Sequence, residues 1–481
     1  MPTSAIDSLI FRDMFGSPAM REIWSDGFRT QKYLDWEAAL ARAQAKVGLI
    51  PQEAADEITR VCKVENIDFD AYSKETMTIG YPVLGLVHQI AHLCRGDAGK
   101  YCHWGATTQD ITDSATILQI KSSFDLIEND LRRAIAATEK LSREHRSTPM
   151  AARSNLQQAV PITFGFKMAR LLATLKRHRA RLAEIRPRIE VFEFGGAAGT
   201  LATLGDNGFA VQKALAHELG LAEPEIAWHT ERDRIAEAGC FLGLLTGTLA
   251  KFATDLKLMM QTEVGEASEP YVANRGSSST MPQKRNPISC CYIHACAASV
   301  RQGVAALLDA MVEDHERATG PWEIEWITLP GIFTLAGGAL AQACFVLEGL
   351  EVHAERMRAN LDATRGLIVS EAVRMALAPK MGRDKAHDVL YAIIHDPAMG
   401  DKSLNRDAAQ VRGRHGRDSR VGDSPDDGRH ELSRPFGGYG GPCAHRHECV
   451  DTSLAPIWRI ASALTCRNFA MIFRLVTLPR H

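Results

Sequence analysis

The stretch "SATILQIKSSFDLIENDLRRAI", Ser114 to Ile135, carries apolar residues at Ile117, Ile120, Phe124, Ile127, Leu131 and Ile135. Steps of three and four place them on one face of a helix. Thr163 to Ile185 repeats the pattern through Leu171, Leu175, Leu182 and Ile185, and Pro187 is expected to interrupt it. Leu245, Leu249, Phe252, Leu256 and Met259 make a third stripe. Stripes this long bury against one another in a helical bundle. Upstream, Tyr33 to Pro51 reads as an amphipathic helix closed by Gly48 and Pro51. Strand-like alternation is scarce. The expected fold is all-α: an N-terminal α domain over 1–112, a central long-helix bundle over 113–360 and a small C-terminal α domain over 361–481.

The chain has 481 residues, 45% hydrophobic and 24% charged, which is ordinary globular composition. A formal net charge of -2 provides no global field for nucleic acid or an anionic membrane, so neither is an expected partner. The start, "MPTSAIDSLIFRDMFG", lacks a basic segment followed by an apolar one, and no signal peptide is expected. The most apolar run, Gly331 to Leu347, is short and rich in small residues, which suits a helix inside a bundle better than a membrane span. Eleven cysteines, an odd number set mostly in apolar segments, suggest reduced thiols and a cytoplasmic setting.

One segment breaks the helical character. "RGSSSTMPQKRNP", Arg275 to Pro287, packs three serines, three basic residues and two prolines into a loop. Small hydroxyls beside a glycine let backbone N–H groups face an anion. Lys284 adds a charge, Asn286 an amide donor, and Pro282 and Pro287 stiffness. Such a loop suits binding a carboxylate and stabilising extra negative charge on it.

This loop resembles the signature of the fumarase/aspartase superfamily, with Met281, Pro282, Lys284 and Asn286 in register. The resemblance implies that Ser278, six residues before Lys284, is the general base. It implies supporting roles for Ser279 and Met281. Ser277 stands where close relatives often have a second glycine. Two further stretches match in chain order. "HWGATTQD" resembles the region whose hydroxyls hold a substrate carboxylate, a role carried to Thr107 and Thr108, with Gln109 and Asp110 in support. "ARSNLQQAVPITFG" resembles the second region through Arg153, Gln157, Ala159, Pro161 and Thr163, with Ser154 in place of a threonine. The resemblance further implies three domains and a homotetramer whose active sites are each shared by three subunits. No metal and no cofactor are expected.

The superfamily reaction is a reversible β-elimination from a succinyl-like group, through a carbanion held as an enediolate. An amine leaves best when protonated, whereas a carboxylate, with a pKa of about 4, leaves unaided. Lyases of N-substituted substrates have a histidine at the position of Asn155. An asparagine shuttles no proton at neutral pH, which favours a carboxylate nucleophile or leaving group. "FGGAAGTLATLG", "WHTERDRIAE" and "HERATGPWEIEW" resemble 3-carboxy-cis,cis-muconate cycloisomerase, the enzyme of aromatic breakdown that closes a lactone. Two alternatives stand beside it. One is a C–N lyase that releases fumarate from an N-substituted aspartate or aminopolycarboxylate, with Asn155 on the substrate and His103 or His229 as general acid. The other is a catalytically silent structural paralogue.

The tail differs. Asp401 to Val450 is rich in Arg, Gly, Asp and His and has no period, and the resemblance ends near Ile394. A disordered linker or a lost reading frame accounts for this composition. Cys443, His445, His447 and Cys449 alternate in a spacing unlike common structural zinc motifs, and no zinc is expected there.

Overall fold

The structure, a computed structural model, describes residues 4–395. The linker, reading-frame and zinc readings of the tail all fall outside the described residues.

The Ser114 stripe belongs to a helix of 37 residues, Thr108–Glu144. It starts six residues before the stripe because Thr107 and Asp110 close its first turn, the Thr107 N–H donating to Asp110 Oδ2 at 2.9 Å. All six stripe residues are buried. Phe124 meets Phe241 of the Asp233–Met260 helix at 5.9 Å and Phe333 of the Pro321–Glu348 helix at 6.0 Å. The third stripe, Leu245 to Met259, is likewise buried. The Ile288–Ala310 helix packs against both the Asp233 and the Pro321 helices. The bundle expected from periodicity is therefore present. The apolar 331–347 run lies in the Pro321 helix. That helix and the Asp233 helix are apolar and long enough to cross a membrane, but most of each apolar window is buried inside the protein.

Three expectations shift. The Tyr33 helix runs from Asp26 to Lys46, capped by Ser25 accepting the Phe28 N–H, and Gly48 follows at φ +79°. Pro187 does not stop its helix, Phe164–Ile189, at once: it lies two residues from the end, so the lost i→i−4 bond and any kink disturb only the final residues. The all-α reading also missed a hairpin: Pro149–Ser154 pairs antiparallel with Gln157–Thr163. Its two-residue turn, Asn155 and Leu156, takes φ +50° and +63°. Asparagine tolerates that left-handed region and leucine does not, so the pattern carried only half of the usual turn signal.

The described chain divides into two compact units: one of 4–141 and 168–352, the other of 142–167 and 353–395. Positions 112 and 360, the expected boundaries, fall inside helices. In the second unit, Ala151, Leu361 and Ile368 form one small core, and Val373, Leu377, Ala386 and Leu390 form another.

An ion cluster ties the first unit together. The Arg232 guanidinium, with its side chain 1% exposed, donates to both oxygens of Asp113 (2.7 and 3.0 Å) and to Glu325 (2.6 and 3.0 Å). Trp322 Nε1 also donates to Asp113, and the guanidinium lies over the Trp228 ring. A planar fork with five donors suits this double bidentate geometry, and a lysine would not. Glu313 is the third acid of the cluster, 3.8 Å from Arg232, and burial pushes its pKa up to about 8. Removing one partner of a buried ion pair strands the other charges. Arg232→Met is therefore expected to cost about 3–5 kcal/mol in urea unfolding, far more than an exposed Arg60→Met control.

Candidate active site

The Arg275–Pro287 loop is closed on itself. Asn286 donates to the Gly276 carbonyl through both its backbone N–H and its Nδ2, each at 2.9 Å. Gly276 has φ +72°, and a Cβ there would meet the Asn286 carbonyl oxygen at 2.6 Å. Only glycine fits. Arg285 holds the loop to Glu351 at 2.9 Å, and Arg275 holds it to Ser289 at 2.6 Å and Gln342 at 3.0 Å. The two arginines thus fasten the loop, and Lys284 remains exposed with no described residue paired to its ammonium.

Within this frame Ser278 Oγ accepts the N–H of Met281 at 3.1 Å and of Thr280 at 3.3 Å. Two amide dipoles aimed at one hydroxyl oxygen favour its negative form. A serine so placed, six residues from a lysine with no partner among the described residues, in a solvent-open loop, suits proton transfer at carbon. Ser279 and Met281 are exposed beside it. Asn286 is spent on the loop's closure, a structural duty that its motif position did not reveal.

Thr107 sits at the mouth of the long helix. Its Oγ1 accepts from Arg317 Nη1 at 3.1 Å, and the same Nη1 approaches the Ala197 carbonyl at 3.4 Å. Arg317 has no carboxylate partner among the described residues, so its guanidinium is available to an anion beside Thr107. Thr108 is the first residue of the helix and is half-buried. Gln109 lies deeper than expected: it is 1% exposed, and its amide donates to Asp113 and to the His229 carbonyl. It supports the wall and is not placed to touch a ligand.

Asp110 is the hub beneath these groups. It is 0% exposed. Oδ1 accepts from the Gly195 N–H at 2.9 Å and pairs with His229 Nε2 at 2.8 Å. Oδ2 accepts from the N–H groups of Thr107 and Gly196. The glycines of "FGGAAG" are needed here, since a Cβ on Gly195 would meet Ala227, Gly199 and His229 at 3.0 Å or less. His229 is 3% exposed and engaged with Asp110, with Glu193 Oε1 3.5 Å away, so it is walled off from substrate. Asp110, Glu193 and His229 come close enough to share a metal ion. However, each Asp110 oxygen already serves two donors, and the cluster works as a hydrogen-bond network. Burial, reinforced by the Asp110 charge, pushes the Glu193 carboxyl up to about 9, against the opposing Trp228 N–H.

His103, the other histidine, directs Nδ1 to Glu37 Oε1 at 2.7 Å and takes φ +56°. In the second unit, Arg153, Ser154, Asn155 and Gln157 are exposed around the hairpin tip, and Asn155 makes the turn itself. Arg317, Glu193 and Glu37 were missed from the sequence. Arg317 lay within the quoted "HERATG", but its lack of a partner is a fact of three-dimensional placement.

Glu193 generates a pH test. Its folded pKa of about 9 exceeds an unfolded value of about 4.3. The folded state therefore holds a proton that the unfolded state releases, and stability falls as pH rises through that window. Glu193→Gln, which keeps an acceptor for the Trp228 N–H, should gain in melting temperature over the wild type between pH 5 and pH 8. An unchanged difference across that range would refute the assignment.

A family model described as Lyase matches residues 15–302. An uncharacterised protein of Schizosaccharomyces pombe is 67% identical over 404 residues, covering 84% of this chain and 90% of that protein. Trans-aconitate decarboxylase 1 of Mycosarcoma maydis is 59% identical over 392 residues, 82% of this chain and 80% of that one. The crystal structure of 3-carboxy-cis,cis-muconate lactonizing enzyme from Pseudomonas putida superposes with a TM-score of 0.76 at 45% identity, covering 80% of this chain and 86% of that one. With the Ser278 loop, the Thr107 turn and the long-helix bundle already in place, these matches make the chain a member of the lyase family of the fumarase/aspartase superfamily.

Proposed function

We propose that this chain acts on a small unsaturated tricarboxylate and protonates a carbanion held as an enediolate, with decarboxylation of trans-aconitate as its reaction. The observation that carries the chemistry is the Ser278 hydroxyl under two amide N–H groups, in the same loop as the exposed Lys284. The 59% identity to a trans-aconitate decarboxylase, against 45% to the muconate enzyme, supports the choice of substrate.

The steps balance. A carboxylate on the methylene carbon leaves as CO2, and its bonding pair moves through the adjacent double bond. The charge collects on the far carboxylate as an enediolate. Ser278 then delivers a proton to the carbon next to that carboxylate, giving 2-methylenebutanedioate, and the serine is reprotonated from water. Donors available to the enediolate, namely Thr107 and Lys284, stabilise the transition state more than the substrate, which is what accelerates the step. The clamp does not depend on how the carbanion arises.

That independence is why cycloisomerisation of 3-carboxy-cis,cis-muconate is the second reading. There a substrate carboxylate adds to the double bond, and the same protonation follows. The 45% identity to the lactonizing enzyme favours keeping it. Amine elimination has less support, because His229 is walled off and Asn155 is a turn residue. Assembly as a homotetramer, with the Ser278 loop, the Thr107 turn and the hairpin tip meeting from three subunits, is part of the proposal. The exposed Arg153, Ser154 and Gln157 support it.

Proton NMR in D2O tests the reaction. Trans-aconitate should yield CO2 and a methylenebutanedioate with one deuterium at the saturated carbon, whereas lactone formed from carboxymuconate alone would select the second reading. Ser278→Ala is expected to lose about 10²–10⁴ in kcat; full activity in that variant would end the mechanism. Arg317→Ala should raise KM for the tricarboxylate more than it lowers kcat. Refolding Ser278→Ala together with Arg153→Ala should restore activity that neither has alone, and a mixture as inactive as its parts would count against shared sites.

A further inference from the structure

His103 is held more firmly than an incidental histidine needs. Glu37, 1% exposed, spends both oxygens on it: Oε1 on the ring Nδ1 at 2.7 Å and Oε2 on the backbone N–H at 3.2 Å. Gln44, two turns further along the same helix face and fully buried, donates to the Trp104 carbonyl at 2.7 Å. One face of the Asp26–Lys46 helix thus pins residues 103 and 104 together. His103 also occupies the left-handed region at φ +56°, a conformation uncommon for a residue with a side chain. The ring is 19% exposed, and no described residue bonds to its Nε2. Four residues later comes Thr107, the first hydroxyl of the carboxylate-binding turn.

We propose that Glu37 and His103 form one fixed cationic donor, in which Glu37 positions the ring and His103 presents Nε2–H to a carboxylate of the bound substrate. This rests on the polycarboxylate reading above and deepens it, because it assigns a third anchoring group that transfers no proton. A carboxylate on Nδ1 leaves Nε2–H as the outward donor, and charge on the ring makes that hydrogen bond stronger than a neutral one. The charged groups facing the ring are Glu37 from the Asp26–Lys46 helix and Asp110 from the Thr108–Glu144 helix. Burial works against the imidazolium, but the charge and hydrogen bond of Glu37, with a smaller contribution from Asp110, outweigh it. The ring therefore titrates above the usual histidine range. Affinity for a polycarboxylate is then full at lower pH and declines as pH rises through that elevated value.

Diethyl pyrocarbonate reads the ring directly, since it carbethoxylates only neutral imidazole. Followed by peptide mass spectrometry from pH 6 to 9, the half-point for His103 should lie above that of free N-acetylhistidine. Glu37→Gln should lower it by about one pH unit or more. An unmoved half-point overturns the pairing. Saturating propane-1,2,3-tricarboxylate should suppress the modification at every pH; unprotected His103 in a protein that binds this ligand overturns the donor role. Should wild type fail to bind any tricarboxylate, the preceding reading fails alone, and protection by fumarate then decides the diad in the same assay. If Glu37→Gln does not fold, His103→Gln replaces it. That variant should raise KM about tenfold and abolish the rise of KM with pH, with kcat within about twofold. A KM that still climbs with pH as in wild type overturns the proposal.

Discussion

The Asp110 carboxylate is the constraint on which the candidate site depends. Two oxygens receive four donors from three separate stretches: Thr107, Gly195 and Gly196, and His229. A carboxylate with no water around it is costly unless its lone pairs are satisfied, and here they are. The same bonds start the long helix, bend the glycine turn and bury a histidine. The position of Thr107, and through it of Arg317, follows from this one anion. Glu193 stays protonated beside it because a second bare charge in that space would not be tolerated.

Polar groups in this interior divide into those that hold and those that are left free. Arg232, Asp113 and Glu325 hold, as do Gln109, His229, Arg275, Arg285 and Asn286. Ser278, Lys284 and Arg317 keep donors uncommitted within the described residues. Such a division is what a preorganised site requires. Donors aimed at developing charge help only if their orientation is set before the reaction, by neighbours that do not themselves react. The loop shows this most plainly, because its closing amide and two arginines leave Ser278 under the Thr280 and Met281 N–H groups. A rigid helical bundle then lets the chemistry sit on irregular backbone without loss of geometry.

The superfamily's breadth has a physical basis in the same arrangement. An enediolate clamp with a proton donor accepts a carbanion made by losing a proton, by losing CO2 or by adding a nucleophile. What separates members is the set of groups around the clamp. In this chain those include, in the reading proposed above, Arg317, which has no carboxylate partner among the described residues, and the locked His103. Asn155 bears less on the substrate than its motif position implied, since a left-handed turn already accounts for an asparagine there.

Periodicity alone determined the bundle. Ile117 to Ile135 and Leu245 to Met259 had to be buried, because an apolar stripe repeated over many turns has no other stable place, and the structure buries them. The motif spacing likewise determined the superfamily and named Ser278 and Lys284. Tertiary structure decided what spacing does not encode. Whether a polar side chain is free or spent depends on partners far along the chain: Asp110 finds Gly195 and His229 85 and 119 residues away, and His103 finds Glu37 at 66. A histidine or glutamine reads the same in sequence whether it faces an opening or a wall. The short hairpin at 149–163 escaped because its strands are few-residue pieces whose turn departs from the usual composition. The sequence thus settled the scaffold, because hydrophobic burial is periodic, and the superfamily, because its motif spacing is specific. Only the fold settled which polar groups remain available, because hydrogen-bond satisfaction is a property of neighbours in space.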